Sequence, residues 1–201
     1  VPSQRRRPDP TPVVVAAAVV GALALSGALA CEPAPLCEVK EAVVVPDGWA
    51  FVDPAADALW PAPEGAALCT AEDIQVQNFG VDEAVEVDTR FGCGWATVSQ
   101  PTLVDLDAGD DVQVRVFYFS QLTFPAAQAE VAIALDGEVV SSTLVDIPSS
   151  SGLIAPRLTL TRAVPAGSLA HFHVGNHGDN SWNLIELARI SEAECPADAG
   201  P

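Results

Sequence analysis

From Asp73 onward apolar and polar residues alternate in short runs, and no stretch keeps a helical period for long. Val85, Val87, Thr89 and Phe91 alternate with Glu86, Asp88 and Arg90, which predicts a strand with one buried and one wet face. Trp95 to Gln100 and Thr102 to Leu106 read as two strands broken at Pro101. Val112, Val114 and Val116 alternate with Gln113 and Arg115 ahead of Phe117, Tyr118 and Phe119. Asp136-Gly137 separates the runs Ala129 to Leu135 and Glu138 to Val145. Asp-Gly supplies the positive φ angles of a tight type I′ turn, so a β-hairpin is predicted there. After another alternating run around Leu158 and Leu160, Pro165-Ala166-Gly167 turns the chain into the segment from Ser168 to Arg189. That segment alternates on both sides of a Gly- and Asn-rich centre, and it reads as a second hairpin closing the domain.

Upstream, Val43-Val44-Val45 is strand-like, while Pro46, Pro54, Pro61 and Pro63 punctuate a stretch containing Trp49, Phe51 and Trp60. One or two short strands and a long packed loop anchored by its aromatic rings are expected. Many short strands with turn signals and no helical pattern predict an all-β chain: an antiparallel β-sandwich, jelly-roll-like, with one core over residues 37–195.

The first thirty residues have a different pattern. Arg5 to Arg7, the uncharged run Val13 to Leu25 and the small residues Ala28 and Ala30 follow the three regions of an export signal, so 1–30 is expected to be a signal peptide. Leu29-Ala30-Cys31 resembles a bacterial lipobox, which would lipidate Cys31 and leave residues 31–36 as a short proline-stiffened tether. The odd cysteine count fits that role. Without Cys31, four thiols remain (Cys37, Cys69, Cys93 and Cys195), and in an oxidising compartment they read as two disulfides with three connectivities open. Cys69 and Cys93 flank strand-like segments, while Cys37 and Cys195 bracket the domain, which favours pairing them in that way. Residues 196–201 are expected to be a disordered tail.

Of 201 residues 49% are hydrophobic, enough for a core, and the formal charge is -18. Such a surface repels phosphate backbones and excludes nucleic acid as a partner; calcium and other cations become the natural small ones.

All three histidines, His171, His173 and His177, fall in the last alternating segment beside Asn176, Asn180 and Trp182. Strand alternation puts His171 and His173 on one wet face, with Phe172 and Val174 on the other. An HxH pair with a third histidine nearby offers neutral imidazole nitrogens to zinc or copper, whereas the same residues with Asn180 and Trp182 suit a sugar or other polar ligand. The structural alternative is that the histidines and asparagines satisfy backbone groups in a tight loop, with His171 and His173 on the wet face. Asp105, Asp107, Asp110 and Asp111 crowd one turn but lack EF-hand spacing, so a solvated strand end is favoured over a calcium site. Trp95 and Trp182 are either sugar-stacking platforms or core. No nucleophile elbow or isolated carboxylate pair is present, so catalytic residues are assigned to none and no enzyme or cofactor is expected.

Ala108-Gly109-Asp110-Asp111-Val112, Leu135-Asp136-Gly137-Glu138 and the terminal Asn180-x-Trp182-Asn183 resemble phrases of galactose-binding-like jelly rolls. That resemblance implies a carbohydrate-binding module. The segments GCGWATV from Gly92 and NHGDNSWNL from Asn176 resemble uncharacterised predicted lipoproteins of the myxobacterial kind, which implies export and a β-sandwich. The expected function is therefore a lipid-anchored binding or structural module of the bacterial cell envelope, partnered by the membrane and by a carbohydrate or envelope component. A periplasmic or secreted soluble form is the alternative location. The alternative activity is a metal-dependent, cupin-like jelly-roll enzyme built on the histidine cluster.

Overall fold

The computed structural model describes residues 36–80, 82–176 and 178–195; the expected leader, Cys31, the tether before residue 36, His177 and the tail after residue 195 lie outside them. Alternating strands need a common surface to bury, and here two antiparallel sheets bury theirs against each other. The larger sheet has seven strands: β1 (Leu36–Ala42), β3 (Ile74–Asn78), β4 (Glu83–Asp88), β6 (Asp111–Tyr118), β9 (Gly152–Ile154), β10 (Arg157–Thr159) and β12 (Ser181–Glu194). Its main path runs β10-β6-β12-β4-β3, with β1 added on β12 and β9 on β6. The smaller sheet contains β2 (Ala50–Phe51), β5 (Trp95–Pro101), β7 (Ala127–Leu135), β8 (Glu138–Ile147) and β11 (Leu169–Gly175), in the order β2-β5-β11-β7-β8. Helical structure among the described residues is limited to 3-10 turns at Pro46–Gly48 and Ala71–Asp73.

The core lies between the sheets. Val85, Val87, Val114, Val116, Trp182 and Leu184 from one face Val98, Val131, Ile133, Phe172 and Val174 from the other, a surface of β-branched and aromatic side chains that suits packed pleats. Both expected disulfides are present, Cys37–Cys195 and Cys69–Cys93. The Asp136-Gly137 hairpin forms as predicted between β7 and β8, with φ of 50° and 78° at the two turn residues.

Other expectations are corrected. The histidine segment is not a hairpin: β11 pairs with β5 and β7 in the small sheet, while β12 pairs with β4, β6 and β1 in the large one. The chain crosses between sheets at Asn176–Asn180, so Phe172 and Trp182 enter the core from opposite sheets instead of lying side by side. β4 has no wet face. Glu86 is 2% exposed and Asp88 5%, because Gln75 and Gln77 each donate to Glu86 at 2.7 Å while Arg90 folds back onto Asp88 at 2.8 and 2.7 Å. The strand stops at Asp88, and Phe91, expected on its buried face, is 83% exposed beside Gly92 (φ 91°). Val43 to Val45 and Thr102 to Leu106 are not strands either. Their backbone groups go to scattered partners: the Val43 amide donates to Leu187 O, Leu103 N donates to Val43 O, Thr102 N donates to Ser168 O, and Leu106 makes an isolated bridge with Val164.

Candidate ligand-binding cleft

On β11, Ala170, Phe172 and Val174 enter the core, so His171 and His173 point outward as alternation requires. The outer face is nevertheless not uniformly wet. The Pro-rich loop between β2 and Cys69 lies over it and sets Trp60 flat on the His173 ring, with centroids 4.7 Å apart and planes 3° from parallel. Trp95 meets the same ring edge-on at 4.7 Å and donates its indole N–H to Trp60 O at 3.2 Å. Space for Trp60 comes from small residues on the next strand: Ala132 is opposite His173, Ala134 is opposite His171, and both pack under Trp60. Gly175 completes the fit, since a Cβ there would come within 2.8 Å of the Trp95 ring. His173 is consequently 0% exposed, which overturns its wet-face assignment.

Burial of an imidazole demands partners, and a hydrogen-bonded chain supplies one side. Thr97 Oγ1 donates to Asp57 Oδ2 at 2.5 Å, so its oxygen accepts from His173 Nδ1–H at 2.9 Å, because a hydroxyl has a single proton to give. Asp57 is fixed in turn by the amides of Leu59 and Trp60, both 3.0 Å from its Oδ1. His173 Nε2 is buried with no partner among the described residues. Burial lowers the His173 pKa to about 4 against the weaker opposing pull of the Asp57 charge. Its neutral form is thus favoured in the folded state. The stabilisation is complete above pH 6.5 and is lost as the pH falls toward 4, a loss of about 3 kcal/mol. The Asp88 carboxyl, held low by its bond from Arg90, also loses stabilisation as the pH falls, so the measurable quantity is a difference. Chemical denaturation of wild type and His173→Phe at pH 7 and pH 4 is expected to show the wild type losing about 3 kcal/mol more than the variant. Parallel pH profiles for the two proteins would refute this role.

His171, one turn of alternation away, lines an open cleft of about 450 Å³ with Val52, Leu59, Leu169, Asp57, Asp136 and Gly137. Its Nδ1 is buried without a partner, and burial lowers its pKa, which keeps the ring neutral at pH 7. Asp57 is occupied as described, and Asp136 holds Arg162 at 2.7 Å. With both carboxylates of the lining engaged, the half-buried imidazole is the polar side chain that the cleft leaves to a ligand.

The remaining candidates are elsewhere. Asn176 and Asn180 are buried in the crossover, where Asn176 Nδ2 donates to Thr89 Oγ1 (2.7 Å) and Gly178 O (2.9 Å), Asn180 Nδ2 donates to Asn176 Oδ1 (3.0 Å) and Leu122 N donates to Asn180 Oδ1 (3.0 Å). This is the structural alternative for the asparagines. Trp182 is 0% exposed in the interior of the opposite sheet, so it does not share a site with the histidines. His173, with Nδ1 engaged and Nε2 enclosed, does not present a free nitrogen beside His171 for a shared metal. Three or more metal-ligating groups converge among the described residues at Cys69, Asp73 and Cys93, where both sulfurs are spent in a disulfide. Three of the four aspartates of the crowded turn serve the chain itself: Asp105 accepts from Ala166 N at 2.7 Å, Asp110 faces Arg189 at 3.5 Å, and Asp111 holds Thr159 and Arg157 at 2.6 and 3.1 Å. Asp57 and Thr97 escaped sequence reasoning because they come from separate segments with no shared spacing, while Trp60 is the loop anchor that was expected, its place on His173 unforeseen.

No family model matches the chain, and no curated protein matches it. Among solved structures it is similar to TmCBM27, a carbohydrate-binding module described for specific mannan recognition, at 10% identity over 78% of this chain and 99% of that one, with a TM-score of 0.48. It is also similar to the family 11 carbohydrate-binding module from Clostridium thermocellum in complex with a mixed-linked tetrasaccharide (14% identity, 79% and 98% covered, TM-score 0.43). A third is CBM27-1 of Caldicellulosiruptor saccharolyticus in complex with mannohexaose (14% identity, 62% and 85% covered, TM-score 0.40).

Proposed function

We propose that this chain is a non-catalytic binding module of the cell envelope that takes a carbohydrate in the His171 cleft. The observation that carries the reading is the half-buried His171 imidazole, held neutral by burial at the wall of an open cleft. A neutral imidazole nitrogen donates or accepts according to its tautomer, and either role suits a sugar hydroxyl, while apolar walls such as Val52, Leu59 and Leu169 suit the C–H faces of a sugar ring. The two disulfides support an oxidising compartment, in keeping with the leader-like start. Export with lipidation of Cys31 belongs to the same proposal; a fatty-acid label lost on Cys31→Ser is expected, and a label that survives that change contradicts it.

Binding is tested by screening a glycan panel against wild type and His171→Ala by calorimetry. A hit in the panel is expected, with affinity lost at least tenfold in the variant, while its melting temperature stays within the shift of a half-exposed substitution, about half a kcal/mol. No binding across the panel, or equal affinity of the two proteins for the hit, refutes the reading.

A further inference from the structure

A strand at the border of a sheet leaves backbone N–H and C=O groups unpaired on its outer side, and chains protect such borders by shortness, charge or cover. β2, β9 and β10 are two or three residues long, β3 has five, and β1 carries Glu38, Lys40 and Glu41. β8 differs. Its ten residues, Glu138–Ile147, end the order β2-β5-β11-β7-β8, and among the described residues β7 alone pairs with their backbone. No charge falls between Val139 and Val145, and no proline interrupts the strand before Pro148. Val139 and Leu144 are exposed along it. Phe124, 98% exposed, lies on the loop whose Ala126 borders Ile147 and Pro148, so the apolar strip continues past the end of the strand.

Unpaired amides and carbonyls along an uncharged strand are complementary to one kind of partner, another strand. We propose that β8 pairs antiparallel with β8 of a second copy of this chain about a two-fold axis, joining two sheets of five strands into one of ten. The acidic residues select the register. Core-facing side chains stay on one face only when the axis passes through a residue and not between two. An axis at Ser142 sets Glu138 against Asp146, like charge against like. An axis at Leu144 shortens the ladder, because Val140 then faces Pro148. An axis at Thr143 sets Ser141 against Val145 and Ser142 against Leu144, a small side chain against a larger one at each step, and Asp146 faces Val140. The strand is its own complement in that register, which favours a second copy over an unrelated extended segment.

Both carboxylates near the axis are also occupied, Glu138 by Arg162 and Asp146 by Gln128. The remaining opposition is long-range: each copy has a net charge of -18, and salt screens that repulsion. Association should therefore tighten as salt rises. Antiparallel pairing keeps the outer faces of both small sheets on one side, so the two His171 clefts open on the same face. The dimer does not depend on the carbohydrate reading, since Ser142 and Leu144 do not line that cleft.

Sedimentation velocity of the chain carrying Cys31→Ser, so that no acyl group drives association, tests it at up to about 0.2 mM, where a small interface is populated. The mass of two chains is expected in about 0.5 M sodium chloride, with association at least fivefold weaker at about 0.05 M. Ser142→Lys/Leu144→Lys and Ser142→Glu/Leu144→Glu change exposed side chains, so each should fold and sediment as a single chain. An equimolar mixture of the two should recover the two-chain mass, because opposite charges then face each other across the axis. A single-chain mass for the unsubstituted strand at every concentration and salt, an undiminished dimer in the Lys variant, or a mixture that stays monomeric overturns the proposal.

Discussion

Removing the Cys37–Cys195 bridge is expected to destabilise the protein by about 5 kcal/mol, a drop in melting temperature of roughly 10–20 °C. The bridge closes a separation of 158 residues, so it removes more freedom from the unfolded chain than Cys69–Cys93, whose separation is 24 and whose contribution is about 3 kcal/mol. It also secures β1, which pairs with β12 alone and would otherwise fray from the chain terminus of the sheet. Thermal unfolding of Cys37→Ser/Cys195→Ser beside Cys69→Ser/Cys93→Ser measures the ranking. A smaller loss for the outer pair than for the inner one would overturn the argument from chain entropy.

Trp182→Ala is expected to cost about 3 to 5 kcal/mol, the price of emptying a large, fully enclosed site. The indole lies opposite Val87 on one side and Tyr118 on the other, with the Tyr118 ring centroid 5.3 Å away. Its Nε1 is buried with no partner among the described residues. Trp182→Phe therefore loses volume but also removes an unpaired donor, and it should cost less than about 2 kcal/mol. Carbohydrate affinity per folded molecule should be unchanged in both variants, since Trp182 faces the core of the sheet opposite His171. Intact stability with lost affinity in Trp182→Ala would instead make this residue part of a binding site.

The contrast between these tryptophan variants and His171→Ala shows how far periodicity reaches. Alternation assigned His171 and His173 to one face of a strand, and that assignment holds, because successive side chains of any strand point to opposite sides. It did not separate their environments. His171 borders an open cleft while His173 is enclosed, and the difference comes from Trp60, more than a hundred positions earlier, together with Ala132 and Ala134, which are small enough to admit it. The carboxylates of β4 teach the same lesson: Glu86 and Asp88 were placed correctly on the face away from the core, yet Gln75, Gln77 and Arg90 cover them.

Neighbours along the chain are enough to specify the alternating strands, the Asp136-Gly137 turn whose positive φ angles any fold must respect, and a domain rich enough in apolar residues to close around a core. The sequence also favoured the cysteine pairs that were found, through their positions at strand flanks and domain ends. Which strands became neighbours was settled by packing between distant segments. The polar loop from Asn176 to Asn180 carries the composition of a hairpin turn, but its buried asparagine amides bind Thr89 and Leu122 and carry the chain from one sheet to the other. The cleft of His171 and the Asp57–Thr97–His173 chain likewise exist only where distant segments meet. Their physical reason is common to both: a strand's side-chain period specifies which way a residue points, whereas the partner that covers it is chosen by packing over the whole core.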